Sequence, residues 1–573
     1  MNNDLVSKDY LVFICYFLIV AFYGYMVYRR RKSREHDSKA FFLAEGSLTW
    51  WAIGASLIAS NISAEQFIGM SGNGYFVGVA VSAYEWIAAL ALIIIAIWFM
   101  PVYLKNRIFT MPQFLKTRYN ESVALIMAVF WLFLYVFVNL TSILYLGAIA
   151  INGLMPQDGV HDYFHIIMIG LAVFSIIITL GGMKVIGYTD VIQVSVLIIG
   201  GLATSYFALN KVGGGHGVVA GFHTLVTQAP DHFHMILAKP TPDVIQAAQA
   251  NGVNAAQAQN YLDKYLILPG ILMYAAGQWI VNLNYWGCNQ YITQRALGAN
   301  LPTARTGLLF ASFLKLLMPV IVMLPGIAAF VLEKQGQLHP LAKMDDAYAS
   351  VLGFLPAGLK GLSIAALTAA IVASLAGKAN SISTIFTLDI YKKYIKKNAT
   401  EKRMVWTGRL VVIVAMIVGI LFTWQDLLGI GGTGGFTYIQ KYTGFISPGV
   451  FAMFILGMFW KRTTGTAAIL GLITGLITCI FFNEFAPQVF GHETFLYTAY
   501  PNGHGGYEIP FLIAMGLSFM FTVIVMVGIS LAGPKINPHA FALDKTMFKL
   551  EPKLIVLIVS VLLILAALYV KFW

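Results

Sequence analysis

Two stretches of this sequence place amides and carboxylates inside runs that are otherwise apolar. The first reads GASLIASNISAEQFIGMSG, where Ser60, Asn61, Ser63, Glu65 and Gln66 interrupt the run between small residues. The second reads YAAGQWIVNLNYWGCNQYITQR and carries Gln278, Asn282, Asn284, Asn289 and Gln290. Tyr84, Glu85 and Trp86, then Lys315, then Gln440 add polar groups to three further apolar runs. Asn61, Gln66, Glu85, Asn282, Lys315 and Gln440 offer several hydrogen-bond donors and acceptors, with one fixed anion and one fixed cation. That set suits a neutral solute with many hydroxyls, since each polar group left without its hydroxyl costs about 1–3 kcal/mol. Tyr285 and Trp286 add flat apolar faces that suit the C–H face of a pyranose ring. An amino-acid or carboxylate substrate would want a free helix N-terminus or an unpaired cation instead. The bland readings are a structural ion pair for Glu85 and Lys315, and polar glue between helices for the amides. The density of amides argues for a site.

These groups need elements to hold them, and composition says which. Of 573 residues, 58% are hydrophobic and 11% charged, against about 25% charged in a soluble domain. A soluble enzyme is excluded. Cys15, Cys288 and Cys479 sit inside apolar runs without metal or redox spacing and read as small core hydrophobes. No nucleophile with a base, no HExxH and no phosphate loop appears, so an enzyme is not expected. Segments of roughly 20 apolar residues cross a bilayer. They lie near 9–28, 47–71, 76–104, 122–153, 163–182, 187–208, 266–290, 306–333, 359–387, 404–424, 436–460, 463–484, 509–532 and 554–572. Without water, such segments must be helices.

Basic residues orient them. Arg29, Arg30, Arg31, Lys32 and Arg34 follow the first segment, Lys105, Arg107, Lys116 and Arg118 the third, and Lys392, Lys393, Lys396 and Lys397 the ninth. Most of the 37 Lys and Arg fall on this one set of alternating loops, which is therefore cytoplasmic. Both termini are then outside, and the net charge of +12 reports orientation rather than nucleic-acid binding. The first segment has its charges after the apolar run and no small-residue cleavage site, so it reads as a retained helix. The longest loop, 209–265, reads as an outer insertion with a helical hairpin over 242–264. Its His216, His223, His232 and His234 read as solvated, since their spacing fits no tight metal pattern.

The second interrupted run comes five segments after the first. Two broken helices at matching places in two five-helix halves point to an inverted-repeat transporter. At these residues the chain resembles the solute:sodium symporter family, in particular its bacterial sodium/galactose type and more distantly its animal sodium/glucose type. The strings ASNISAEQFIGMSG, YEWIA, FVNLTSILYLG, TDVIQV, NYWGCNQYITQR, FLKLLMPVIVMLPGIAA, STIFTLDIYKKY and YTGFISPG carry the resemblance. It implies an all-α polytopic membrane protein with a LeuT-type fold, 14 transmembrane helices and a 5+5 inverted-repeat core. The divisions would be 1–46 (extra helix and basic loop), 47–208 (first repeat), 209–265 (outer loop), 266–460 (second repeat) and 461–573 (three further helices). It further implies a carrier of the bacterial cytoplasmic membrane that imports a small neutral sugar by alternating access. No cofactor is implied beyond a sodium ion as coupling ion.

Residue by residue, the resemblance places the sugar among Gln66, Glu85, Asn61, Asn282, Lys315 and Gln440, with Tyr135 and Trp286 lining the pocket. Tyr285 would be the inner gate, and Met70, Tyr84 and Phe436 the outer gate. Ala88 departs from the family pattern, which has serine there. For sodium, the carbonyls of Ala59, Ile62 and Ala370 and the Ser374 hydroxyl match, with Asp190 as the acidic residue beyond the inner side of the site. The family's second serine is Ala373 here, and Lys378 stands where a methionine is expected. Two readings stay open. Lys378 snorkels to the cytoplasmic side and sodium binds weakly, or its ammonium replaces sodium and the carrier is sodium-independent or proton-coupled. The solute alternative is another polyol, such as inositol.

Overall fold

Backbone groups inside lipid must bond within their own segment, and the apolar runs of this chain answer as helices. The computed structural model describes residues 5–29, 41–42, 48–153, 155, 163–250, 254–275, 277–425, 427, 440–441 and 443–573. In chain order the principal helices are α1 (Ser7–Arg29), α2 (Trp50–Asn61), α3 (Ser71–Phe76), α4 (Val79–Lys105), α5 (Met111–Arg118) and α6 (Glu121–Asn152). Then come α7 (Phe164–Leu180), α8 (Met183–Val212), α9 (Pro242–Gln249), α10 (Ala255–Ile267), α11 (Gly277–Cys288) and α12 (Gln290–Leu297). The chain ends with α13 (Leu301–Lys334), α14 (Leu359–Ile395), α15 (Glu401–Thr423), α16 (Ser447–Phe459), α17 (Gly465–Phe490), α18 (Phe511–Leu531) and α19 (Pro552–Phe572).

Among the described residues, ten helices are long and apolar enough to span, or eleven if the bent pair Ala255–Tyr274 and Gly277–Cys288 is one span. Fourteen full spans are therefore not reached by length and composition. Segment 163–182 yields the 17-residue α7, and 436–460 yields the 13-residue α16, with 428–439 and 442 outside the described residues. Segment 47–71 is divided, because α2 stops at Asn61 and Ile62 turns extended (ψ 118°). The chain then resumes as a π-helical turn over Glu65–Met70 and continues into α3.

The broken α2 packs against α8, α12, α13 and α14. Small residues let these helices approach: a Cβ on Gly201 of α8 would stand 2.1 Å from Ile321 of α13. Although α1 faces mostly outward, its Asp9 is buried. The Asp9 carboxylate accepts from the amides of Gly358 (2.7 Å) and Gly361 (2.9 Å), so it caps the N-terminus of α14 and ties α1 to the bundle. Arg118, read above as an orientation charge, is also buried. Its guanidinium donates to the carbonyls of Gly457 (2.5 Å), Thr463 (3.0 Å) and Trp460 (3.0 Å) around the C-terminal end of α16.

Within the long loop 209–265, α9 and α10 form the expected hairpin. Leu262 and Tyr265 pack on Tyr500 of a two-stranded antiparallel ribbon, Tyr500–Pro501 with Tyr507–Glu508. His216, His223 and His234 are exposed as expected, but His232 is not. It stacks on Phe330 (4.1 Å between centroids), and its Nε2 donates to the Tyr75 carbonyl (2.9 Å). Gly78 makes room for that contact with a left-handed φ of 101°; a Cβ there would stand 2.4 Å from the His232 carbonyl oxygen.

Burial pushes the His232 imidazole down to about 4, so it is neutral in the folded chain. The unfolded chain takes up a proton near pH 6.5, so the stabilising term is complete above that pH and is lost as pH falls towards 4. Thermal unfolding of the purified protein should weaken across that window in the native chain, and the His232→Gln variant should show a shallower fall.

Candidate functional site

The two interruptions read from the sequence become two helix breaks. At the first, the Ser63 amide donates to Gln66 Oε1 (3.0 Å) and the Glu65 amide to Ser63 Oγ (3.2 Å), so neither continues the ladder of α2. At the second, Asn289 is extended (ψ 129°) between α11 and α12. Polar side chains from both breaks face one cavity of about 110 Å³.

Asn61, Gln66, Tyr84, Glu85, Ala88, Asn282, Tyr285, Trp286, Lys315 and Gln440 all line it. At its centre the Lys315 ammonium donates to both the Glu85 carboxylate and the Asn61 side-chain oxygen. Lys315 and Glu85 side chains are 1% and 5% exposed, so the pair is held almost dry. The ammonium also lies 5.2 Å from the Trp286 ring centroid. Asn61 Nδ2 donates to the Tyr285 hydroxyl (3.0 Å). Gln66 Oε1 is engaged by Ser63, and Asn282 Nδ2 donates to the Gln278 carbonyl (2.9 Å). Gln66 thus has its amide NH2, and Asn282 its amide oxygen, to offer a ligand.

Two expected residues stand elsewhere, and a third is not among the described residues. Tyr135 is not on the cavity wall. It is fully buried beneath the second break, where its hydroxyl donates to Asn289 Oδ1 (3.2 Å) and accepts from the Gln290 amide (3.2 Å). Met70 is fully buried and also does not line the cavity. Phe436 lies outside the described residues. Conversely, Glu65, Asn139, Asn284, Asn289, Tyr291 and Ser447 line the cavity without having been assigned to it. Glu65, Asn284 and Asn289 lie in the interrupted strings, and their facing was the missing information. Asn139 is an amide inside an apolar run, a signal that a search for polar intrusions would have found.

At the expected ion position Ala59, Ile62, Ala370, Ala373 and Ser374 are all buried. The Ser374 hydroxyl donates to the Ser60 carbonyl at the end of α2 (3.2 Å). Lys378 does not snorkel. It is buried, lines the same cavity, donates to Ser374 Oγ (3.2 Å) and lies 5.0 Å from the Tyr291 ring centroid. The reason is helix geometry: side chains lean towards the N-terminal end of their helix. On α14 that lean carries the ammonium away from the basic end at Lys392 and Lys393. Asp190 belongs to a neighbouring centre, where it accepts from Ser56 Oγ and faces Arg295 (3.7 Å), which the sequence reading had left out.

With this geometry in view, the comparisons with known proteins are direct. A model of the Sodium:solute symporter family matches residues 41–475. This chain belongs to that family. Relatives include a sodium/glucose cotransporter of Vibrio parahaemolyticus, 40% identical over 100% of this chain and 99% of the relative. The human sodium/myo-inositol cotransporter 2 is 33% identical over 83% of this chain and 70% of its own length. Sheep sodium/glucose cotransporter 1 is 30% identical over 82% and 71%. Among solved structures, an outward-open Na+-coupled sialic acid symporter superposes with a TM-score of 0.74 at 20% identity, covering 93% of this chain and 100% of that one. That likeness shows the fold, the LeuT type expected from the sequence.

A family member built on such a pair should be sensitive to its halves. Removing one partner of a buried ion pair costs about 3–5 kcal/mol, because the other charge is left alone. Glu85→Gln and Lys315→Met should each lower unfolding stability by about that amount, and the double variant by clearly less than their sum. Denaturant or thermal unfolding of the three purified variants reads this; strictly additive losses would mean that the two groups are not partners.

Proposed function

We propose that this protein imports a monosaccharide of the glucose or galactose type by alternating access, as a carrier and not an enzyme. The observation that carries the reading is the convergence of amides from both helix breaks on one cavity, around a cation already paired with Glu85 and Asn61. A paired cation leaves no net charge to attract an anion, while its neighbours still offer donors and acceptors to hydroxyls. The family and the names of the sugar-cotransporting relatives support the same solute class. In this reading Gln66, Glu85, Asn61, Asn282, Lys315 and Gln440 bind the sugar, Trp286 lines its apolar face, and Tyr84 with Tyr285 closes the site on either side. A sugar hydroxyl that engages Asn61 competes with the Tyr285 hydroxyl, so binding loosens the inner gate.

We also read 47–208 and 266–460 as the two five-helix halves, with one break in each. Lys116, Lys392, Lys393 and Lys397 line a single groove at one end of the bundle, which supports that end as cytoplasmic in a bacterial inner membrane, with both termini outside. A second solute reading is a cyclitol. Ala88 on the cavity wall removes one hydroxyl partner, and the myo-inositol cotransporter relative is a third identical.

Counterflow of labelled galactose into proteoliposomes, challenged with glucose, myo-inositol and sialic acid, tests this. Glucose or unlabelled galactose should compete strongly and sialic acid should not. Ala88→Ser should change the relative potency of the two hexoses by about tenfold, one hydrogen bond's worth. Competition by sialic acid alone, or no exchange of any polyol, would contradict the reading.

A further inference from the structure

The end of α2 is a half-helix C-terminus inside the membrane. Its last carbonyls lack the amides of a following turn, and the helix dipole makes that end negative. Such an end is where a transporter of this architecture accommodates a cation. Oxygen ligands decide whether sodium suits the place. Here α14 presents Ala373, a methyl side chain, beside Ser374, whose hydroxyl already donates to the Ser60 carbonyl. One turn on, the Lys378 ammonium donates to that same Ser374 oxygen. A positive charge is therefore already covalently present one hydroxyl away from the carbonyl end of α2. Its counter-charge is at hand, because the Glu65 carboxylate, just past the break, faces the same cavity and its field reaches Lys378. A sodium ion entering there would meet the ammonium's repulsion and one oxygen too few. The residues present do not fit sodium.

We infer that the Lys378 ammonium takes the place of the coupling cation between the broken helix α2 and helix α14, so that solute exchange does not require sodium at this position. The inference rests on the carrier reading above and deepens it. A tethered cation keeps α2 against α14 throughout the cycle, where a dissociating ion would release it. It is also wired to the solute site. Lys378 lies over Tyr291, Tyr291 packs edge-on to Tyr285 (5.7 Å), and the Tyr285 hydroxyl accepts from Asn61 (3.0 Å), whose oxygen holds Lys315.

The test uses the full chain, purified and reconstituted, with labelled galactose as solute and sodium or choline chloride at matched ionic strength. Galactose exchange should agree within about twofold in the two salts, and sodium should not raise the Tm of the detergent-purified chain above its value in choline. Lys378→Met combined with Ala373→Ser should make sodium raise the Tm and speed exchange at least about tenfold over choline. A wild-type exchange rate that falls about tenfold in choline, or a sodium-specific rise in the wild-type Tm, overturns the inference. So does a folded double variant that stays indifferent to sodium. If the double variant does not fold, the two wild-type measurements still decide. Failure of the carrier reading looks different: no polyol exchanges in either salt, while the Tm comparison continues to report on the cation position.

Discussion

A full charge in the middle of a bilayer must have a partner, and in this chain that requirement places Lys315. Its ammonium bonds Glu85 from α4 and Asn61 from the end of α2, so one side chain of α13 fixes three helices against each other. The pair is nearly dry, which makes each member costly to lose. Because the network sits at the point where α2 stops, holding the charges and holding the break open are one constraint. The cavity exists because Ser63, Glu65 and Gln66 bond among themselves instead of continuing the helix.

The second break is held by different means. Tyr135 braces Asn289 and Gln290 from beneath, and Tyr291 packs between Tyr135 and Tyr285. The result is a contiguous set of contacts running from Lys378 through two tyrosines to the Lys315 centre. A contact chain alone is not coupling; coupling needs two states that a ligand stabilises unequally. In the proposed carrier Tyr285 would be the switching group, since its hydroxyl and a bound solute would share the same Asn61 amide. The neighbouring Asp190–Arg295–Ser56 centre gives α2 a second buried charge pair, and Arg295 ties it to the cavity wall by donating to the Tyr291 carbonyl.

Much of this was legible in the sequence, because helix breaks in a membrane have a plain signature: amides clustered in an apolar run. That signature located both breaks and most of the cavity wall, including Asn61, Gln66, Glu85, Asn282, Lys315 and Gln440. It did not supply rotamers. The family resemblance puts Tyr135 on the wall and it is a brace below it, because a matched position does not fix the depth of its side chain. Lys378 was open between two directions until the lean of α14 chose one. His232 was read as solvated, since loop composition carries no information about which loop residue folds back over a helix end. Arg118 was read through charge statistics alone and Asp9 was not singled out, yet both are helix caps whose partners lie more than three hundred residues away. The count of fourteen spans rests on apolar runs, and among the described residues only ten or eleven helices reach spanning length, because segment 47–71 is divided and α7 and α16 are short.

A map of the reconstituted protein at side-chain resolution, determined with galactose bound, is the most direct trial of the central claim. The account predicts ring-shaped density in the cavity between the two breaks, with hydroxyls in contact with Asn61, Glu85, Asn282 and Lys315. Sugar density seated outside that cavity, with the Lys315–Glu85–Asn61 centre untouched, would contradict it.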